Sequence, residues 1–208
     1  MPMRTLCLPL GVAAVLCVAA AGCRHAQPPQ SVALFNGRNL DGWVVVNGGE
    51  WTVEDGVLVG RNGRNWSTDP TRSGSWLRTE RQYDDFILEL EFTIEGNSGI
   101  MLRSGLEGNP SYNGYEMQIL SDHGREGGRF PTGSLYDVVA ASRNMSRPTG
   151  EWNHVRILCE GSLIQIVLNG ELVVDYPKAT RRSRGYIGLQ NHDERSVVRF
   201  RNIRLTEL

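Results

Sequence analysis

Leu163-Ile-Gln-Ile-Val-Leu-Asn-Gly-Glu-Leu-Val-Val-Asp-Tyr176 decides the fold class. Two runs rich in β-branched and apolar residues flank Asn169-Gly170, a pair that accepts the positive φ angles of a type I′ turn. The segment therefore reads as a β-hairpin with a two-residue loop. Outward from it the same pattern recurs. Phe86-Ile-Leu-Glu-Leu-Glu-Phe-Thr-Ile94 alternates strictly, sending Phe86, Leu88, Leu90, Phe92 and Ile94 to one face and Glu89, Glu91 and Thr93 to the other. Trp51-Thr-Val53 and Val57-Leu-Val59, around Glu54-Asp-Gly56, make a second hairpin. Further strands are expected at 99–103, 115–120, 152–159, 185–190 and 197–206, and no segment carries a sustained helical period. Roughly a dozen short strands at this spacing imply an all-β sandwich of two antiparallel sheets. Trp43, Trp51 and Trp152 stand at strand starts and are assigned to the core. Two long, polar, glycine-rich stretches, 60–75 and 121–150, break the rhythm, and loops of that length tend to carry function.

The N-terminus reads as a leader. Arg4 precedes Leu6 to Ala21, an uncharged apolar run shorter than the ~20 residues that a spanning helix needs. It closes on Ala20-Ala-Gly-Cys23, which resembles a bacterial lipoprotein signal with Cys23 as the lipidated residue; the alternative is an ordinary secretory cleavage site. By resemblance to Gram-negative lipoproteins, Arg24 after the cysteine implies the outer membrane, on its periplasmic or surface side. The expected organisation is a signal at 1–22, a tether at 23–31 containing Pro28-Pro29, and one domain at 32–208. Cys7 and Cys17 leave with the signal, which makes Cys159 the sole thiol of the domain. It alternates with Val155 and Ile157 as a small buried hydrophobe, so no intrachain disulfide is expected. The formal charge is −1, with 22 basic and 23 acidic residues, and loss of Arg4 makes it more negative. Nothing here drives binding to a phosphate backbone, and nucleic acid is not an expected partner.

Three segments gather polar groups on strand faces. In Gly185-Tyr-Ile-Gly-Leu-Gln-Asn-His192, alternation places Gly188, Gln190 and His192 on one face and Ile187 and Leu189 on the other. That face, kept clear by the glycine, reads as the floor of a polar pocket; the plainer reading is a strand end entering solvent. Tyr115-Glu-Met-Gln-Ile-Leu120 places Glu116 and Gln118 together, and Gly99-Ile-Met-Leu-Arg103 points Met101 and Arg103 the same way. A carboxylate, a guanidinium, two amides and an imidazole suit a polyhydroxylated ligand, whose hydroxyls both donate and accept. Trp66, in a polar loop, offers an indole for stacking on a sugar ring. Asp122-His123 and His192-Asp193 set carboxylates beside imidazoles, although neighbours on a strand face opposite ways. Arg181-Arg-Ser-Arg184 reads as a solvated turn. The sequence contains no His-Glu-x-x-His, Cys-x-x-Cys or Gly-x-Ser-x-Gly motif.

Phe35-Asn-Gly-Arg-Asn-Leu-Asp-Gly-Trp43, Trp51-Thr-Val-Glu-Asp-Gly-Val-Leu58, Ser98-Gly-Ile-Met-Leu-Arg103, Tyr115-Glu-Met-Gln-Ile-Leu120, Gly150-Glu-Trp-Asn153, Leu168-Asn-Gly170, Gly185-Tyr-Ile-Gly-Leu-Gln-Asn-His192 and Phe200-Arg-Asn-Ile203 together resemble the 3-keto-disaccharide hydrolase domain family. The resemblance implies a concanavalin A-like jelly roll and an exported glycoside-cleaving hydrolase or lyase acting on 3-keto-glycosides. The implied route is removal of the C2 proton, elimination of the C1 substituent and hydration. It needs no pair of carboxylates around an oxocarbenium ion. His192, whose reference pKa of ~6.5 lies near working pH, is the expected proton-transfer group. Glu116 is its acid/base partner and Arg103 the charge stabiliser, while Gln118, Gln190, Tyr136, Asp122 and Trp66 bind substrate. Some family members use a divalent cation, which implies Glu116, Asp122 and His192 as ligands for Ca²⁺, Mn²⁺ or Zn²⁺. Two departures, Ser121 before Asp122 and Asn191 before His192, remove carboxylates that the family usually has. A non-catalytic carbohydrate-binding module and a structural protein of the envelope are the competing classes.

Overall fold

A computed structural model describes residues 29–67, 69–125 and 128–208, together with Met1. The leader, Cys23 and most of the tether lie outside these residues. The strands are β1 (Val32–Ala33), β2 (Trp43–Val46), β3 (Glu50–Glu54), β4 (Val57–Arg61), β5 (Ser75–Tyr83), β6 (Phe86–Glu95) and β7 (Asn97–Ser104). A single turn of helix, α1 (Pro110–Asn113), precedes β8 (Tyr115–Leu120), and β9 (Asn153–Glu160), β10 (Leu163–Leu168), β11 (Glu171–Tyr176), β12 (Gly185–Asn191) and β13 (Val197–Glu207) follow. Every pairing is antiparallel. One sheet runs β11-β10-β9-β6-β13-β4-β3, with β1 added on β13; the other runs β2-β5-β12-β7-β8. The expected two-sheet sandwich is the fold.

The hairpin at 163–176 forms around Asn169 (φ 51°) and Gly170 (φ 90°), with Leu168 opposite Glu171. A methyl group at Gly170 would meet no atom within 4 Å, so its cost is conformational alone. Gly170→Ala is expected to lower unfolding stability by about 1 kcal/mol, read as a shifted denaturant midpoint with unchanged slope.

Phe86, Leu88, Leu90 and Phe92 of β6 and Ile157 and Cys159 of β9 fill one side of the core. Leu77 of β5, Ile100 and Leu102 of β7, Met117 and Ile119 of β8, and Ile187 and Leu189 of β12 fill the other. The polar residues that alternate with this second set therefore face away from the larger sheet. Cys159 is fully buried and unpaired, and burial pushes its thiol up to about 12. Trp43 and Trp51 are buried as expected, whereas Trp152 is half-buried with the Arg201 guanidinium 3.9 Å from its ring centre. Trp152 precedes β9 on the outer surface and stacks on a cation instead of joining the core.

Residues 121–150 are held down at both ends. Asp122 accepts from the Thr132 amide at 2.9 Å and from the hydroxyls of Thr132 and Ser146. The chain then lies along the free edge of β8, where the Tyr136 amide donates to Glu116 O at 2.8 Å and the Gln118 amide to Ser134 O at 2.9 Å. This contact covers an open sheet edge and delivers Tyr136 to the same face as Glu116.

Candidate active site

Glu116 and Gln118 project from β8 and Gln190 from β12, with β7 between the two strands. The Gln190 amide nitrogen donates to Glu116 Oε1 at 2.9 Å, reaching across β7. Gly99 permits this, since a Cβ there would lie 2.1 Å from Glu116 Oε1. Gln118 donates to Asn97 Oδ1 at 2.7 Å. Over these groups stand Trp66 from the β4–β5 loop, Ser111 and Tyr112 from α1, Tyr136 from the long loop and His192 just past β12. Together they enclose a cavity of about 100 Å³. Trp66 is fixed by its indole N–H, which donates to Ser75 O at 3.0 Å. Tyr112 and Tyr136 meet edge to face with ring centres 6.2 Å apart.

Glu116 is buried, and desolvation pushes its carboxyl up to about 7 against the opposing hydrogen bonds from Ser111 and Gln190. A group so placed exchanges protons near neutrality. Gln190 Oε1 is shut off from solvent and has no partner among the described residues. Burial and a hydrogen bond with Tyr136 push the Tyr112 phenol above its ordinary value, keeping it neutral. At the rim, His192 Nδ1 lies 2.7 Å from Asp193 Oδ2. Burial raises the Asp193 carboxyl, but hydrogen bonds from His192, the Arg195 amide and the Ser196 side chain, with the charge of His192, outweigh it and hold the group below the usual range. A carboxylate at Nδ1 fixes the neutral imidazole as the Nδ1–H tautomer, so Nε2 carries the lone pair.

The site differs from the sequence reading at several points. Arg103 is not part of it. Its Nε donates to Asp84 O at 2.6 Å, Nη1 to Gly161 O at 2.6 Å and Nη2 to Asp85 Oδ1 at 2.8 Å, and none of it is exposed. Between Tyr186↔Ser104 and Gly188↔Met101 the β7 strand carries an extra residue, and Arg103 takes φ 51°. This bulge turns the side chain away from the face that strict alternation assigns to it. Asp122 is likewise absent from the pocket, its carboxylate being taken up by Thr132 and Ser146. Glu116, Asp122 and His192 therefore form no common ligand set, and no cluster of three His, Cys, Asp or Glu side chains occurs among the described residues.

The space above Gly188 is filled by the Trp76 indole, which a Cβ there would meet at 2.3 Å, so this glycine does not open the pocket. Asn191 faces away from the pocket, its amide donating to Arg61 O at 2.6 Å, and its identity does not alter the charge around Glu116. Finally, His192 and Asp193 do meet, because β12 ends at Asn191 and the alternation that would separate them ends with it. Arg181 is also more than a solvated turn residue. It donates to Ser111 O and Gly114 O and tethers α1.

Asn97, Ser111 and Tyr112 belong to the site and were not singled out by the sequence. Asn109-Pro110 was a usable signal for two of them. The Asn109 side chain caps α1 by accepting from the Ser111 amide at 3.0 Å, and that single turn presents Ser111 and Tyr112.

Comparison with known proteins agrees with this architecture. A 3-keto-disaccharide hydrolase of Bacteroides thetaiotaomicron is 26% identical over 230 residues, covering 85% of this chain and 78% of its own. A crystal structure of a Parabacteroides distasonis protein assigned as a glycosyl hydrolase superposes with a TM-score of 0.72 at 26% identity, covering 86% of this chain and all of that one. The carbohydrate binding module CBM66 from Bacillus subtilis, 24% identical over 80% of this chain and 96% of its own, shares the fold at a TM-score of 0.56. Residues 30–206 match the profile of one family across nearly the whole described domain, and the chain belongs to the 3-keto-alpha-glucoside-1,2-lyase-like domain family.

Proposed function

We propose that this protein cleaves 3-keto-glycosides by elimination and hydration, with His192 and Glu116 as its proton-transfer groups. The observation that carries the reading is a fully buried carboxyl near pH 7 facing, across one small polar cavity, an imidazole whose Nδ1 is held by Asp193. A ketone at C3 acidifies the C2 hydrogen. His192 Nε2 takes that proton while Glu116, in its protonated form, gives one to the ketone oxygen, producing an enol. Collapse of the enol returns the oxygen's proton to Glu116. The C1–O bond breaks, and the departing oxygen takes the proton from the imidazolium. Water then adds to C1 of the enone as its proton passes to His192, and protonation at C2 completes net hydrolysis. Gln190 holds Glu116 in place beneath the sugar, Gln118 orients a hydroxyl, and Trp66 and Tyr136 wall the ring.

Incubation of the protein in D₂O with a 3-keto-disaccharide and with its unoxidised parent tests this. Cleavage of the oxidised sugar alone, with deuterium entering at C2, is expected. His192→Asn is expected to slow both about 10²–10⁴-fold. Tight binding without turnover of either sugar would sink the enzymatic reading in favour of a binding module.

The same proposal extends to location, namely an exported protein anchored by lipid on Cys23. The motif Ala20-Ala-Gly-Cys23 supports it. Metabolic labelling with a fatty acid should mark the wild-type protein and not Cys23→Ser; equal labelling of both would refute the anchor.

A further inference from the structure

Beside the catalytic cavity runs a second, wider depression of about 600 Å³, lined by Asn47, Gly48, Arg64, Asn65, Ser67, Arg72 and Ser73. Ser67 lines both spaces, so the two adjoin at that residue. No carboxylate among the described residues lines this groove, yet two guanidinium groups do. Among the described residues neither Arg64 nor Arg72 has a carboxylate within ion-pair distance, so both guanidinium charges are available to an anion. Asp69 on the same loop is influenced by Arg72, but its Oδ1 is occupied by the amide and hydroxyl of Thr71. The Arg64 side chain lies against Gly48, where a Cβ would come 3.1 Å from Nε. The groove wall is held by Asn47, whose amide donates to Ser73 O at 3.0 Å.

The cavity of about 100 Å³ over Glu116 is small, so the rest of a disaccharide must lie outside it. Two adjoining depressions are available. The one past Asn97 carries Asp193 and Glu194 beside Arg195, whereas the one past Ser67 carries arginines and no acid. An anion would be repelled from the first and attracted to the second. Guanidinium groups match the two oxygens of a carboxylate in a planar fork.

We propose that this groove is the leaving-group subsite and that it selects glycosides whose departing portion carries a carboxylate, such as a uronate or an aromatic acid. The inference rests on the cleavage reading above and names the substrate class for the same site. Arg64 and Arg72 bind the acid, Asn65 and Ser67 contact the hydroxyls nearest the scissile bond, and the 3-keto ring occupies the inner cavity.

The test compares three 3-keto-glucosides that differ only in the leaving portion: glucuronate, glucose and a sulfated glucose. The acidic sugar is expected to show a KM about tenfold below that of the neutral one, a preference that shrinks in ~0.5 M salt. The double variant Arg64→Gln, Arg72→Gln should bring the ratio of the two close to one. An equal preference for the sulfated sugar would overturn the choice of carboxylate, and equal KM for acidic and neutral sugars would overturn the subsite altogether. Cleavage of the neutral sugar without acid preference refutes the groove alone, while absence of any cleavage refutes the mechanism. Binding of the same three sugars to the catalytically impaired Glu116→Gln protein, measured by calorimetry, reads the groove independently of turnover.

Discussion

Glu116→Gln is expected to cost about 10²-fold in kcat and to leave a protein that is more stable than wild type above pH 7. The amide has the shape of the carboxyl, and its oxygen can still accept from Gln190, so the pocket is not expected to collapse. What is lost is a proton that can be transferred. The stability effect follows from linkage. Burial raises this carboxyl from 4.5 to about 7 in the folded protein. Between those values the folded state holds a proton that the unfolded state has released. The stabilisation is therefore complete below about pH 4.5 and is lost as pH rises through about 7. A shift of this size corresponds to on the order of 3 kcal/mol. The variant has no such group, so its stability relative to wild type should rise by that order between pH 4 and pH 8. Urea titrations of both proteins across this range check it, and parallel curves would show that Glu116 titrates normally. In the active protein the same ionisation should lower activity above pH 7, because the acid form of Glu116 is the one that protonates the ketone.

Arg103→Met should lower stability by about 3–5 kcal/mol, with no direct effect on the chemistry. The guanidinium is completely enclosed and satisfies two carbonyls, of Asp84 and Gly161, along with the Asp85 carboxylate. Methionine fills much of the volume and satisfies none of them. For a domain of this size the melting temperature should fall by about 10 °C. At a temperature where the variant remains folded, KM for a 3-keto-disaccharide should match wild type. A variant with the wild-type melting temperature and a large loss of kcat would return Arg103 to the catalytic site.

Where a residue's position followed from strand parity, the sequence was sufficient. Asn169-Gly170, the alternation from Phe86 to Ile94 and the polar positions Glu116, Gln118 and Gln190 all depend on local geometry with a period of two, and the structure has them as that period requires. The errors arise where the period fails. One inserted residue in β7 turned the Arg103 side chain off the pocket face, and a bulge of that kind leaves little trace in composition. The end of β12 let His192 and Asp193 meet. Tyr112 and Ser111 enter through a helix of one turn, too short to impose a pattern. Asp122 was misplaced because its partners, Thr132 and Ser146, lie 10 and 24 residues away and meet it only through the course of a loop.

The placement of β13 has a consequence for how the protein reaches its fold. This strand, late in the sequence, sits inside the larger sheet between β6 and β4. Until it arrives β6 has an open side, and Phe86, Leu88, Leu90, Phe92 and Ile94 form a segment well suited to pairing with another copy. Pairings so distant in sequence close slowly. Glu91 and Glu95 on the opposite face of β6 later pair with Arg201 and Arg199. Pairs this near the surface add little to the finished fold. Their greater value lies earlier, when unpaired carboxylates on a waiting strand repel a second molecule and give β13 time to dock.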